Sequence, residues 1–331
     1  MVLDTPQVTK YKITENKAIK LKTDNKSSET EIVSRIIRLI KQYTNHKYVV
    51  LTNSGDLAIY AAMYYLSKAG YEQIIIPDQG GWLSYKKFPV QFNLKIIEVK
   101  TDKGVILIDE LEKVCGLSNS NKTINSEKLK RKTALIITSF AGYYAEQPLK
   151  EISEICRKNN VLLIEDTNAV GDKIIKANKQ ITKTNKHRLC NGKLSDIIVC
   201  SFGKWKVVNN YQGGFISSND KAVINDINST KEIADKIKPV NLDYEKLFEN
   251  LKTAHERLNF LIETCSQIKQ ELNEIGVNVF HKDKRGIVAI TEYNDKVIDY
   301  CKKNKLEYTV CPRYIRVNEK AISIEVKRIE R

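Results

Sequence analysis

Short uninterrupted apolar runs punctuate the chain. "KYVVLT", "QIIIPD", "LKIIEVK", "TALIITSF", "VLLIED" and "SDIIVCSF" are rich in branched aliphatic residues and show no polar alternation. Strands without a polar face are covered on both sides, the habit of parallel sheets. Between them lie stretches with helical spacing: "GDLAIYAAMYYLSKAG", "GWLSYKKFPVQFN", "LIDELEKVCG" and "PLKEISEICRKNN". This alternation predicts an α/β fold whose mostly parallel central sheet is covered by helices.

The pattern differs at both ends. Residues 1–28 carry few apolar groups and read as an N-terminal arm, with Ser28 or Thr30 as the cap of the helix "ETEIVSRIIRLIKQYT". Ile32, Val33, Ile36, Ile37 and Ile40 make that helix amphipathic. From Tyr244 to Gly276 a long helical pattern runs into the strand candidates "VNVFH" and "GIVAIT", the helix "DKVIDYCKKNK", and the strands "YTVCPRYIRV" and "AISIEVKRI". The expected division is an arm at 1–28, a large domain at 29–240, and a linking helix with a smaller α+β domain at 241–331. Polar stretches at 116–132 and 173–193 predict surface loops, the second a small hairpin.

Composition narrows the class. The 331 residues are 42% hydrophobic and 29% charged, with a net charge of +15 spread along the chain. A dispersed lysine excess sets solubility and weak attraction to anions; with no clustered basic stripe interleaved with aromatics, a nucleic-acid partner is disfavoured. Seven cysteines, with no C-x-x-C pair, predict a reduced, cytoplasmic chain without a zinc site or disulfide framework. No signal peptide is expected from the polar N-terminus, and no apolar run approaches the roughly 20 residues of a membrane span. The four histidines lack ligand spacing.

Neither a G-x-G-x-x-G after the first strand nor a phosphate loop of the G-x-x-x-x-G-K-[ST] type is present. The first strand runs instead into "TNSGDLAIY", where Ser54, Gly55 and Asp56 open a helix. Free N–H groups and the positive end of the helix dipole suit a phosphate there, although a plain N-cap looks the same. "VLLIEDTNAVGD" ends a strand in Glu165 and Asp166, at the edge where open α/β sheets bind ligands. "SFGKWKVVNNYQGG" places Lys204 and Lys206 just after a buried strand, where a lysine either snorkels to water or does chemistry. A phosphate cradle, a carboxylate and a lysine on one rim ask for pyridoxal 5′-phosphate (PLP): the amine bonds the aldehyde, the carboxylate keeps the pyridine nitrogen protonated, and amides hold the phosphate.

In order and spacing, "TNSGDLAI", "IIIPDQGGWLSY", "IEVKTDKGVILIDELE", "LLIEDTNAVGD" and "SDIIVCSFGKWKVVNNYQGGFISSND" resemble the DegT/DnrJ/EryC1/StrS family of fold-type-I PLP enzymes, the nucleotide-sugar aminotransferases. The resemblance implies that Lys206, five residues after Ser201 and seven before Gly213, is the Schiff-base lysine, with Lys204 a bystander. It implies that Asp166 pairs with the pyridinium nitrogen, that Ser54, Gly55, Asp56 and Ser201 stand at the phosphate, and that Trp82 stacks on the ring. Taken on its own, Trp82 reads equally well as a lid or core residue. The implied reaction moves an amino group, from glutamate, to a nucleotide-linked keto-sugar within a homodimer. Departures from the family pattern are Asp56 in place of threonine, Ala169 in place of glutamine, and a shortened segment after Gly214 that leaves Asn241 as the candidate to reach a partner. Two other readings stay open: a lyase or desulfurase on the same fold, or a degenerate homologue that regulates or scaffolds, to which these departures lend weight. Arg313 and Arg316 read as strand-face charges or as ligands for a substrate carboxylate.

Overall fold

The computed structural model describes residues 24–118, 131–172 and 188–330. Its main sheet comprises β1 (Tyr48–Thr52), β2 (Gln73–Pro77), β3 (Lys95–Val99), β4 (Thr133–Thr138), β5 (Val161–Thr167), β6 (Ile197–Ser201) and β7 (Gly214–Ser218). Across the sheet the order is β1-β7-β6-β5-β4-β2-β3. Neighbouring pairs are parallel except those of β7, which runs antiparallel to both β1 and β6. That exception explains the sequence at the turn: "GG" reverses the chain, and Gly213 takes a φ of +97°, a conformation open to glycine at little cost.

The apolar runs lack alternation because each strand feeds two cores. Leu135 and Ile137 of β4 face one layer while Ala134 and Ile136 face the other. On the first face pack α1 (Asp24–Thr44), burying Ile32, Ile36 and Ile40, and parts of α4 (Ile108–Ser118), α5 (Leu149–Lys158), α8 (Tyr244–Lys252) and α9 (Ala254–Glu274). The opposite face is covered by α2 (Gly55–Lys68), which buries ten residues, with α6 (Lys221–Ser229) and α7 (Lys231–Ile237). The short α3 (Ser84–Gln91) packs beside α2, and Tyr60 meets Phe88 edge-on at 5.5 Å.

A smaller antiparallel sheet, β8 (Ala289–Glu292), β9 (Tyr308–Val310) and β10 (Ala321–Ile324), packs with α9 and α10 (Asp295–Lys303) around Cys265, Leu272, Val297 and Ile322.

Several sequence expectations need correction. α1 starts at Asp24, so Ser28 and Thr30 lie inside the helix and not at its cap. The long helix is two, α8 and α9, joined at Thr253. "VNVFH" contributes a single bridge, Val279 to Thr291, and "YTVCPRYIRV" is strand only to Val310, because Pro312 has no N–H for a ladder. Residues 1–23, and the polar stretches at 119–130 and 173–187, including the expected hairpin, lie outside the described residues. Among those described, no helix is long and apolar enough to cross a membrane, and no cluster of histidine, cysteine and acidic residues is arranged to hold a metal.

Candidate functional site

The C-terminal ends of the parallel strands converge on one rim, where open α/β sheets bind ligands. Register brings the distant pieces together. Gly214 pairs with Thr52 on one side and Ser201 on the other, so the loop after β1 and the end of β6 meet across a single residue. Gly55 and Ser201 touch so closely that a Cβ on Gly55 would stand 2.4 Å from Ser201 Cβ. Gly214 is equally constrained, since its Cβ would meet Cys200 O at 2.4 Å and Gly55 N at 2.9 Å. The absence of side chains at both positions leaves the start of α2 and the Ser201 hydroxyl side by side.

Ser54 is the N-cap of α2, its Oγ accepting from Leu57 N at 3.2 Å. Asp56 therefore does not cap. Its Oδ1 accepts from Trp82 Nε1 at 2.7 Å and from Ser84 Oγ at 2.6 Å, which draws the negative charge sideways and orients the indole. The threonine-to-aspartate departure thus has a local use.

Lys206 lies beyond the end of β6, in a loop closed by Phe202 N to Gly213 O (2.8 Å) and Asn210 N to Phe202 O (2.9 Å). Trp205, at φ +62°, turns the chain just before it. Lys206 Nζ stands 4.9 Å from the Trp82 ring centroid, 4.8 Å from that of Tyr143, and donates a hydrogen bond to Tyr143 Oη. Thr138, Tyr143, Asp166, Cys200, Ser201 and Lys206 line one cavity. Lys204, by contrast, is exposed over the Trp205 ring.

The two acids that end β5 have separate tasks, because adjacent strand residues point to opposite faces. Glu165 is fully buried and accepts from Ser139 Oγ (2.6 Å), Ser195 Oγ (2.8 Å) and Cys190 N (2.8 Å), tying the loop before β6 to the sheet. Asp166 faces the cavity, and its Oδ2 accepts from Tyr85 Oη at 2.7 Å. Burial pushes the Asp166 carboxyl up to about 6, against the pull of Tyr85 and Lys206. Burial also works against the Lys206 ammonium, but Tyr143 and Asp166 outweigh it and raise its pKa above the ordinary lysine value.

The sequence reading missed Tyr143, Tyr85 and Ser84. Tyr85 follows Trp82 by one helical turn, a spacing that shows only once α3 is known to lean on the rim. Tyr143 carried no signal: it sits in the turn between the two-residue ladder partners Phe140–Ala141 and Ala145–Glu146, at φ +71° and 5% exposed, and its carbonyl accepts from Ile287 N at 2.8 Å. Arg316 corrects the reading of a strand-face charge. It is buried and paired with Glu325 at 2.8 Å. Asn241 presents its carbonyl to Gln212 Nε2 at 2.7 Å.

Comparison with known proteins agrees with this geometry. Residues 12–239 match the DegT/DnrJ/EryC1/StrS aminotransferase family, and residues 255–331 match the MJ1341 family C-terminal domain. No curated protein sequence matches the chain. A serine palmitoyltransferase from S. paucimobilis, solved with a bound PLP–myriocin compound, superposes with a TM-score of 0.64 at 12% identity, over 89% of this chain and 71% of that one. An alanine–glyoxylate aminotransferase from Nostoc sp. gives 0.62 at 13% identity, over 91% and 82%. A SepCysS–SepCysE N-terminal domain complex gives 0.62 at 13%, over 90% and 81%. The fold is that of the fold-type-I PLP enzymes, and the chain belongs to the DegT/DnrJ/EryC1/StrS family. Family and donor set support pyridoxal 5′-phosphate as cofactor: an amine and a carboxylate share one cavity beside a cradle that any Cβ at Gly55 would fill.

Proposed function

We propose that this member of the DegT/DnrJ/EryC1/StrS family is an aminotransferase that moves an amino group from an amino acid, glutamate by family analogy, to a keto-sugar carried on a nucleotide. The observation that supports it most is the placement of Lys206 and Asp166 in one cavity, with Trp82 beside the lysine. The cofactor supplies an electron sink and an aldehyde for the lysine amine.

The remaining roles belong to side chains. Asp166 holds a negative charge against the ring nitrogen, and the fully buried Tyr85 fixes that carboxylate in place. Ser54, Gly55 and Ser201 receive the phosphate with backbone N–H groups and hydroxyls. Asp56 holds Trp82 so that its ring offers a stacking face. Lys206 carries a proton between carbon atoms as general acid and base, which requires it first to lose its proton; leaving its bond to Tyr143 and gaining a cationic neighbour on Asp166 both favour that loss. Tyr143 positions the Lys206 amine in the meantime. The family analogy extends to a homodimer and a cytoplasmic setting.

Asp56 and Ala169 also favour a second reading, in which the chain is a degenerate homologue that regulates or scaffolds. Absorbance spectra of wild type and Lys206→Ala with PLP, before and after borohydride, test the anchor. A reducible band in wild type, lost in the variant, is expected. Adding glutamate should bleach that band with release of 2-oxoglutarate. No half-reaction with any amino acid would sink the aminotransferase reading.

A further inference from the structure

The last described turn folds back onto Tyr143, which the candidate lysine bonds, and onto Trp205, which precedes that lysine in sequence. A single turn, Val326–Arg328, sets Lys327 Nζ 4.1 Å from the Tyr143 ring centroid, the same ring that Lys206 Nζ approaches at 4.8 Å. Arg328 lies 4.2 Å over the Trp205 ring. Arg257 of α9 pins the turn, with Nη2 donating to Lys327 O at 3.3 Å and to Ile329 O at 2.5 Å.

Three cations here share one carboxylate. Arg316 takes both oxygens of Glu325, at 3.0 and 2.8 Å, and bonds Ser323 Oγ and Ile315 O as well, so its guanidinium is spent. Arg328 reaches Glu325 at 3.9 Å and pairs mainly with Glu307. Lys327 has Glu325 at 3.8 Å, an ion pair beyond hydrogen-bond length, although the residue is only 9% exposed. A largely buried ammonium with no hydrogen-bond acceptor among the described residues, beside an excess of positive charge, is a site short of an anion.

We propose that Lys327 is a specificity-determining residue whose ammonium receives the carboxylate of the amino-acid substrate. The inference rests on the aminotransferase reading, and it assigns to Lys327 the task that the sequence offered to Arg313 and Arg316. The electrostatics agree. Burial and then Arg316 push Lys327 well below the ordinary lysine value, Glu325 opposes them, and Lys206 and Arg328 add to the depression. A carboxylate arriving at such an amine stabilises its charged form, so binding draws in a proton.

The test uses full-length protein incubated with PLP and glutarate, a dicarboxylate with no amine to react. Calorimetry in two buffers of different ionisation enthalpy reads affinity and proton uptake together. Wild type should bind glutarate with net proton uptake. Lys327→Met should weaken binding at least tenfold and abolish uptake, and Lys327→Arg should restore affinity without uptake. Lys327→Gln serves if the methionine variant does not fold. Glutarate binding that ignores Lys327 overturns the proposal. So does inorganic phosphate binding through Lys327 while glutarate does not, since the subsite would then be for phosphate. Should glutarate bind through Lys327 in a protein that shows no borohydride-reducible band, the aminotransferase reading fails and the carboxylate subsite stands.

Discussion

Substituting Gly55 by alanine places one methyl group at the tightest point of the rim. Its nearest neighbours would be Ser201 Cβ at 2.4 Å, Ser201 Cα at 2.9 Å and Ser201 Oγ at 3.0 Å. Relief requires a shift of about 1 Å, and the atoms in the way are mostly not free ends of side chains. Ser201 is the last residue of β6, held by β7 through Gly214, while Gly214 in turn abuts Gly55 N at 2.9 Å. Neither wall retreats without breaking register. The cost then sits at the upper end of the roughly 1–3 kcal/mol of overpacking, and at about 2 °C per kcal/mol the Tm falls by roughly 5 °C. Double variants isolate the cause. Ser201→Ala keeps the Cβ that makes the closest contact and loses the bond from Gly203 N at 3.2 Å, about 1 kcal/mol, together with the lesser Oγ contact at 3.0 Å, so its coupling with Gly55→Ala should be small. Ser201→Gly removes the Cβ and should recover at least about 1 kcal/mol in the pair, incompletely because the new methyl still presses on the backbone of residue 201. Denaturant melts of the three single variants, the two double variants and wild type supply the coupling energies. PLP titration by tryptophan fluorescence should show weakened binding in Gly55→Ala. Equal coupling for Ser201→Ala and Ser201→Gly, or a Gly55→Ala protein that melts with wild type, would refute the packing argument.

Two buried groups give pH effects of opposite sign. The Asp166 carboxyl, raised by burial to about 6, is an anion above that pH and neutral below it, so PLP affinity should fall about tenfold per unit as pH drops below 6, and be flat in Asp166→Asn. For the empty protein the sign reverses: the raised carboxyl contributes stability below its unfolded value that is lost as pH rises through about 6. His46 is 2% exposed and bonded to Ser217 Oγ and Ser195 O; burial lowers it to about 4. Its contribution is present above pH 6.5 and should be lost, to the extent of roughly 3 kcal/mol, as pH falls toward 4. Because the two contributions oppose each other between pH 4 and 6, the readout is the difference between wild type and His46→Gln, which should grow by roughly 3 kcal/mol from pH 4 to 6.5; a difference that stays constant with pH would refute the lowered value of His46.

The sequence by itself determined the layered architecture, because apolar runs without alternation have a stable burial only between two helical layers. It also determined the chemistry-bearing types, since Lys206, Asp166 and the Ser54–Gly55 helix start each carry their signal in a few neighbouring residues. Family spacing related them along the chain. Their approach in space belongs to the sheet order, which places β1 and β6 on either side of the reversed β7, so that residues far apart in sequence touch at Gly55 and Ser201. For the two acids of "ED" the family resemblance named Asp166, and tertiary structure supplied the physical reason: strand pleat turns Glu165 toward Ser139, and Tyr85 arrives from α3 to bond Asp166. It likewise decided the role of Asp56, bonded to Trp82 26 residues away. Most distant of all are Tyr143 and Lys327, which meet beside Lys206 only because the small domain returns the chain end to the rim. No local pattern encodes a contact whose partners are brought together by tertiary packing, and it is such packing that sets Tyr143 between the candidate lysine and Lys327.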